Sequence, residues 1–108
     1  MTLYVKIKEG VDLSNIQPPI LAKLWGIAKV FDTAGRECVI TSARRPPVFK
    51  KSLHADGLAL DFRANHIGSS SLQLKILADI IGVCGNEYDV ILHGEGPNLH
   101  YHVEYDPD

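Results

Sequence analysis

The stretch "SLHADGLALDFR", Ser52 to Arg63, sets a histidine, His54, ahead of an aspartate, Asp61, with Gly57 between them. Near the C-terminus, "NLHYHVEY" adds His100 and His102, separated by a single tyrosine. Imidazole nitrogens and carboxylate oxygens are the donors a catalytic zinc ion uses, with three protein ligands and one position left for water. One histidine, one aspartate and a member of the H-x-H pair meet that count. A mixed nitrogen and carboxylate set leaves enough positive charge on the metal to acidify bound water toward a pKa of ~7. A further group must then take the proton and help neutralise the tetrahedral intermediate. Each residue also has a plainer reading. A loop histidine such as His54 or His66 is ordinarily solvated, and H-x-H pairs occur freely on the polar faces of strands. Asp61 is harder to dismiss, because a carboxylate inside an apolar strand needs compensation.

The elements that must position these groups follow from hydrophobic period. "LYVKIK" alternates Leu3, Val5 and Ile7 against Tyr4, Lys6 and Lys8, a half-buried strand. Pro18 and Pro19 suit a helix start, and Ile20, Leu21, Leu24, Trp25, Ile27, Ala28 and Phe31 recur at helical spacing up to a stop at Gly35. "CVITS" is a short buried strand, and "ARRPPVFKK" a loop. In "GLALDFR", Leu58, Leu60 and Phe62 face one way, and Ala59, Asp61 and Arg63 the other. Gly57 allows the chain to turn tightly enough to bring His54 back toward Asp61. "SSSLQLKILADIIG" is a second amphipathic helix with serines for its N-cap and Gly82 near its end, Cys84 lying just beyond. "YDVILH" and "LHYHVEY" are two strands joined by "GEGPN" and therefore antiparallel. His100 and His102 share a face opposite Leu99, Tyr101, Val103 and Tyr105. The predicted class is α+β, with a small, mostly antiparallel sheet and the helices packed on one face.

The 108 residues suit one domain, 1–108, and 45% hydrophobic with 22% charged residues is ordinary for a globular chain. A net charge of −2 with interspersed signs argues against a nucleic-acid partner. No apolar run approaches the roughly 20 residues needed to cross a bilayer, so membrane insertion is not expected. The N-terminus reads as a strand rather than a signal peptide, which places the chain in the cytoplasm of the producing cell. Cys38 and Cys84 then read as free, partly buried thiols. A monomer is the expected state.

"SLHADGLALD" fits the S-x-H-x-x-G-x-A-x-D signature of the zinc D-alanyl-D-alanine metallopeptidases, with Ser52, His54, Gly57, Ala59 and Asp61 at the fixed positions. "HYHVEY" resembles the closing H-x-H strand of that family, and "VITSARR" the strand and loop preceding its signature. The resemblance runs from about Val39 to the C-terminus. The family includes D,D-carboxypeptidases, D-Ala-D-Ala dipeptidases and phage L-alanyl-D-glutamate endolysins, and its fold is shared with the hedgehog signalling domain. The resemblance implies that His54, Asp61 and His102 bind Zn2+. It implies that His100 stabilises the oxyanion or assists proton transfer, and that Arg44 or Arg45, with Ser52, binds substrate, the arginine fork suiting a peptide carboxylate. The implied activity is hydrolysis of amide bonds in the stem peptides of bacterial peptidoglycan, by a phage- or prophage-encoded enzyme acting on the wall after release or from a virion. One departure concerns the acid. Many members carry Asp or Glu three residues before the last ligand, where this chain has Leu99; Glu95 is the nearest substitute as general base, with His93 and Glu104 as alternatives. A zinc-stabilised binding or structural module of the same fold, without catalysis, is the alternative reading.

Overall fold

In a computed structural model, the structure describes residues 3–14, 16–43 and 57–107. Among the described residues, five strands and two helices follow in the order β1 (Val5–Ile7), α1 (Pro18–Thr33), β2 (Cys38–Ser42), β3 (Ala59–Arg63), α2 (Ser70–Cys84), β4 (Tyr88–His93) and β5 (His100–Tyr105), with short 3-10 turns at Asn65–Ile67 and Gly96–Asn98. The strands form one sheet in the order β1-β2-β3-β5-β4. Only β1 and β2 run parallel, and the other three pairings are antiparallel. The class is α+β, and among the described residues no helix is long and apolar enough to cross a membrane.

Helix α1 starts where proline is tolerated, since the first helical N–H groups have no partner to lose. It ends in a Schellman motif: Arg36 N–H donates to Phe31 O, Gly35 N–H donates to Asp32 O, and Gly35 takes φ +70°. The side chain of Ser69 caps α2 by accepting from Leu72 N–H at 3.3 Å. Gly82 lies inside α2, which runs on to Cys84, so Cys84 belongs to the helix rather than following it.

Both helices lie on one face of the sheet. Ile20, Ile27 and Phe31 from α1 and Ile76 and Ile80 from α2 share a core with Ile40, Leu60, Phe62, Tyr101 and Val103 from the strands. Phe31 meets Tyr101 edge-on with ring centroids 5.9 Å apart, a preferred aromatic geometry. The Tyr101 hydroxyl donates to Gln73 O at 2.7 Å, so its burial strands no polar atom. The apolar stripe expected of α1 is narrower than its sequence: Leu21 and Trp25 are 53% and 60% exposed. Strand β1 is a three-residue edge with Ile7 exposed, less buried than its alternation predicts. Cys38 and Cys84 are free and buried, and burial pushes their thiols up to about 12 and about 11 respectively. His66 is not solvated as expected: its Nε2–H donates to Glu37 O at 2.7 Å and its ring stacks on Phe31.

Candidate functional site

The face away from the helices carries the titratable side chains expected from the sequence. Strand pairing places Asp61 directly opposite His102, Arg63 opposite His100, and Ala59 opposite Glu104. On the far side of β5, Ile91 faces His102, His93 faces His100, and Asp89 faces Glu104. Directly opposed residues project to the same face, so three rows form: Ala59, Glu104 and Asp89; Asp61, His102 and Ile91; Arg63, His100 and His93. The two-residue period that buries Leu60 and Phe62 is what delivers Asp61 and Arg63 here.

Asp61 sits in the central strand and is 6% exposed. Its Oδ1 lies 2.8 Å from His102 Nδ1, and its Oδ2 lies 3.8 Å from His100 Nε2. His102 Nε2 lies 2.9 Å from Glu104 Oε1. Both nitrogens of His102 therefore face carboxylate oxygens. The hydrogen bond to Asp61 raises the His102 pKa, partial burial opposes the rise, and the Asp61 charge and Glu104 add to it. His100 is held differently. Its Nδ1 lies 2.6 Å from the carbonyl of Asn98, an acceptor only, so Nδ1 carries the proton and Nε2 is left toward Asp61. Gly94, at φ +93°, makes this possible, because a side chain there would strike the Asn98 carbonyl.

A cleft of about 310 Å³ opens beside Asp61 and His100, lined also by Lys8, Thr41, Ser42 and Arg63. The register between β2 and β3 slips between Ile40 and Ser42. The extra residue of this bulge lets consecutive Thr41 and Ser42 both reach the cleft, against the normal alternation.

Of the residues expected from the sequence, Asp61, His100 and His102 come together. Arg44, Arg45, Ser52 and His54 lie outside the described residues. Gly57 takes φ +75°, a left-handed conformation that glycine adopts without strain, and the turn from His54 expected to depend on it lies outside the described residues. Glu95 is exposed and precedes the Gly96–Asn98 turn, whose Pro97 and Asn98 line the cleft. Glu104, named from the sequence as an alternative for the general base, is a direct partner of His102. Arg63 and Lys8 were not singled out for the site, and a strand alternation that puts Arg63 beside Asp61 was the available signal for the first of them.

Two of the three expected metal ligands, Asp61 and His102, are described and offer donor types that a divalent cation takes, while the described group of three such donors within 4.8 Å is Asp89, Glu104 and Asp106. A buried carboxylate and an imidazole stand side by side, and the second carboxylate on the ring repeats the pattern in which a metal-ligating histidine gives its other N–H to an acid. Ligand atoms of Asp89, Glu104 and Asp106 lie within 4.8 Å of one another, which makes the neighbouring edge of this face negative. Comparison with protein-family models, curated proteins and solved structures returned no match.

Proposed function

We propose that this chain is a zinc-dependent peptidase that hydrolyses amide bonds in peptidoglycan stem peptides, with His54, Asp61 and His102 holding the metal. The observation that carries the reading is the buried Asp61 carboxylate set in register against His102 on the face the helices leave open. A carboxylate that shielded would be costly without a cation or strong donors beside it. Zinc held there supplies Lewis acidity toward water and the amide carbonyl.

The chain's own groups do the rest. Glu104 accepts the Nε2 proton of His102 and thereby turns Nδ1 toward Asp61, which fixes the ring for metal binding. His100, pinned through Nδ1 by Asn98, presents Nε2 to the cleft, where it steadies the oxyanion when protonated. Glu95, from the turn bordering the cleft, accepts the proton of the attacking water. That proton passes to the amine nitrogen as the C–N bond breaks.

The test is digestion of purified peptidoglycan, read by mass spectrometry of the soluble products. Released peptides are expected from the zinc-loaded protein, and they should vanish with a chelator and in His102→Ala. Glu95→Gln isolates the base: unchanged turnover with zinc retained removes Glu95 from that role. A second reading, a zinc-stabilised binding module, is favoured by Leu99 at the family's acid position and by the exposure of Glu95. Bound zinc with no released peptide would select it.

A further inference from the structure

The two edges of the sheet differ. Strand β1 offers three residues, with Lys6 among them and Lys8 just beyond, a short charged edge of the kind that discourages association. Strand β4, at the other edge, has six residues in unbroken register with β5 and contains neither proline nor lysine. Two bonds fix the direction of its backbone groups. Tyr105 N–H donates to Leu58 O at 2.9 Å, so the odd residues of β5 bond to β3. Asp106 N–H donates to Glu87 O at 2.8 Å, so its even residues bond to β4, where they meet Asp89, Ile91 and His93. The N–H and C=O groups of Val90 and Leu92 therefore point away from β5, to the outer edge, beyond which the described residues supply no further strand. Side chains along this edge are incompletely covered. Ile91 is 50% exposed, Asp89 and His93 are exposed, and Val90 and Leu92, which pack against the core, are only half-buried.

We propose that β4 is a pairing edge for a second copy of this chain, the two strands running antiparallel about Ile91, in place of the monomer expected from the sequence. The run Asp89-Val90-Ile91-Leu92-His93 complements itself when reversed. Centred on Ile91, it sets Ile91 against Ile91 of the second copy, each Asp89 against a His93, and each Val90 against a Leu92. The backbone agrees with this register. The outward groups of Val90 and Leu92 meet and form about four hydrogen bonds, and Ile91 falls at the non-bonded position, where side chains approach most closely. A slip of two residues would set Ile91 against Asp89 or His93, so the side chains select the centre. Ligand atoms of Asp89, Glu104 and Asp106 lie within 4.8 Å of one another, so the His93 imidazole of the second copy brings an N–H donor to a concentration of acceptors. Opposed residues project to one face, so the helices of both copies share one side of a ten-stranded sheet and both candidate sites share the other, their β5 strands about 14 Å apart. The pairing depends neither on metal nor on the peptidase reading.

The test is sedimentation and NMR on the full chain over a concentration series from about 10 μM to about 1 mM. A pairing this small belongs to the weak end of specific interfaces, so a reversible dimer with a Kd of about 10–100 μM is expected. The amides of Val90 and Leu92 should gain hydrogen-exchange protection as concentration rises, while that of Ile91, bonded to β5 in either state, should not. A mixed-label sample should show contacts between the Ile91 methyl groups of the two copies. Ile91→Lys sets two ammonium groups face to face and should leave a folded monomer throughout. His93→Asp sets carboxylate against carboxylate and should weaken the dimer about tenfold, and Asp89→Lys added to it should recover most of that loss. Melting temperature establishes that each variant is folded, and should Ile91→Lys not fold, the rescue of His93→Asp decides. A wild type still monomeric at the top of the series, protection that falls on α1 around Leu21 and Trp25, a folded Ile91→Lys that dimerises undiminished, or no rescue by Asp89→Lys would each overturn the pairing. So would a monomer whose Val90 and Leu92 amides are protected only on adding an extended peptide, which would make β4 a peptide-docking edge instead.

Discussion

The two faces of the sheet are built from the same strands and do opposite work. Leu60 and Phe62 of β3 and Tyr101 and Val103 of β5 are buried beneath α1 and α2. The residues alternating with them, Asp61, Arg63, His100, His102 and Glu104, stand on the side away from the helices, where Asp61, His100, His102 and Glu104 are linked by polar contacts. A strand alternates with a period of two, so one segment serves both purposes without compromise. The helix-covered face contributes stability, and the other face holds the groups to which the proposed chemistry is assigned. Substitutions on the two sides should therefore separate cleanly into folding and metal-binding phenotypes.

The largest expected effect lies on the covered face. Phe62→Ala removes a fully buried ring and should cost about 3–5 kcal/mol, seen as a much lower urea midpoint. The fraction that remains folded should still bind zinc, and loss of zinc from folded Phe62→Ala protein would break the separation. On the open face, Glu104→Gln keeps the side chain's shape and weakens its hold on His102. Zinc affinity should fall by about ten- to a hundredfold in a competition titration, with the chelator-treated protein's melting temperature little changed. Equal loss of stability would make Glu104 a structural residue instead.

The smallest effect is a pH dependence of the chelator-treated protein. The native pKa of His102 is raised above 6.5, so its contribution to stability is fully present below pH 6.5 and disappears as pH climbs past the native value. Wild type should lose melting temperature over that window relative to His102→Gln. Parallel profiles would show that the contacts to Asp61 and Glu104 do not favour the charged ring.

Much of this division was legible in the sequence, because it is local. The alternation in "GLALDFR" and "NLHYHVEY" assigned Asp61, His100 and His102 to the non-core face, and the periodicity and end signals of α1 and α2 gave two helices. The features that were not legible depend on long-range register. Nothing local says that Asp61 stands opposite His102 rather than His100, or that the bulge at Thr41 turns Ser42 into the cleft. Leu21 and Trp25 fit the helical spacing and are nonetheless exposed, because a helical period gives the direction of a stripe and not the width of the surface that covers it. That Glu104 bonds to His102 was not decided by the sequence, because the two-residue spacing that puts it beside His102 is shared by any pair on one strand face. His66 was read as solvated because its acceptor, the Glu37 carbonyl, is a backbone atom contributed from just before β2.

Metal content addresses the central claim most directly. Zinc bound per chain should be measured by elemental analysis after dialysis, in wild type, Asp61→Ala and His102→Ala, with circular dichroism to establish that each is folded. One zinc per wild-type chain, and none in either folded variant, is the predicted result. A folded wild type that holds no zinc, or variants that hold as much as it does, would contradict the account.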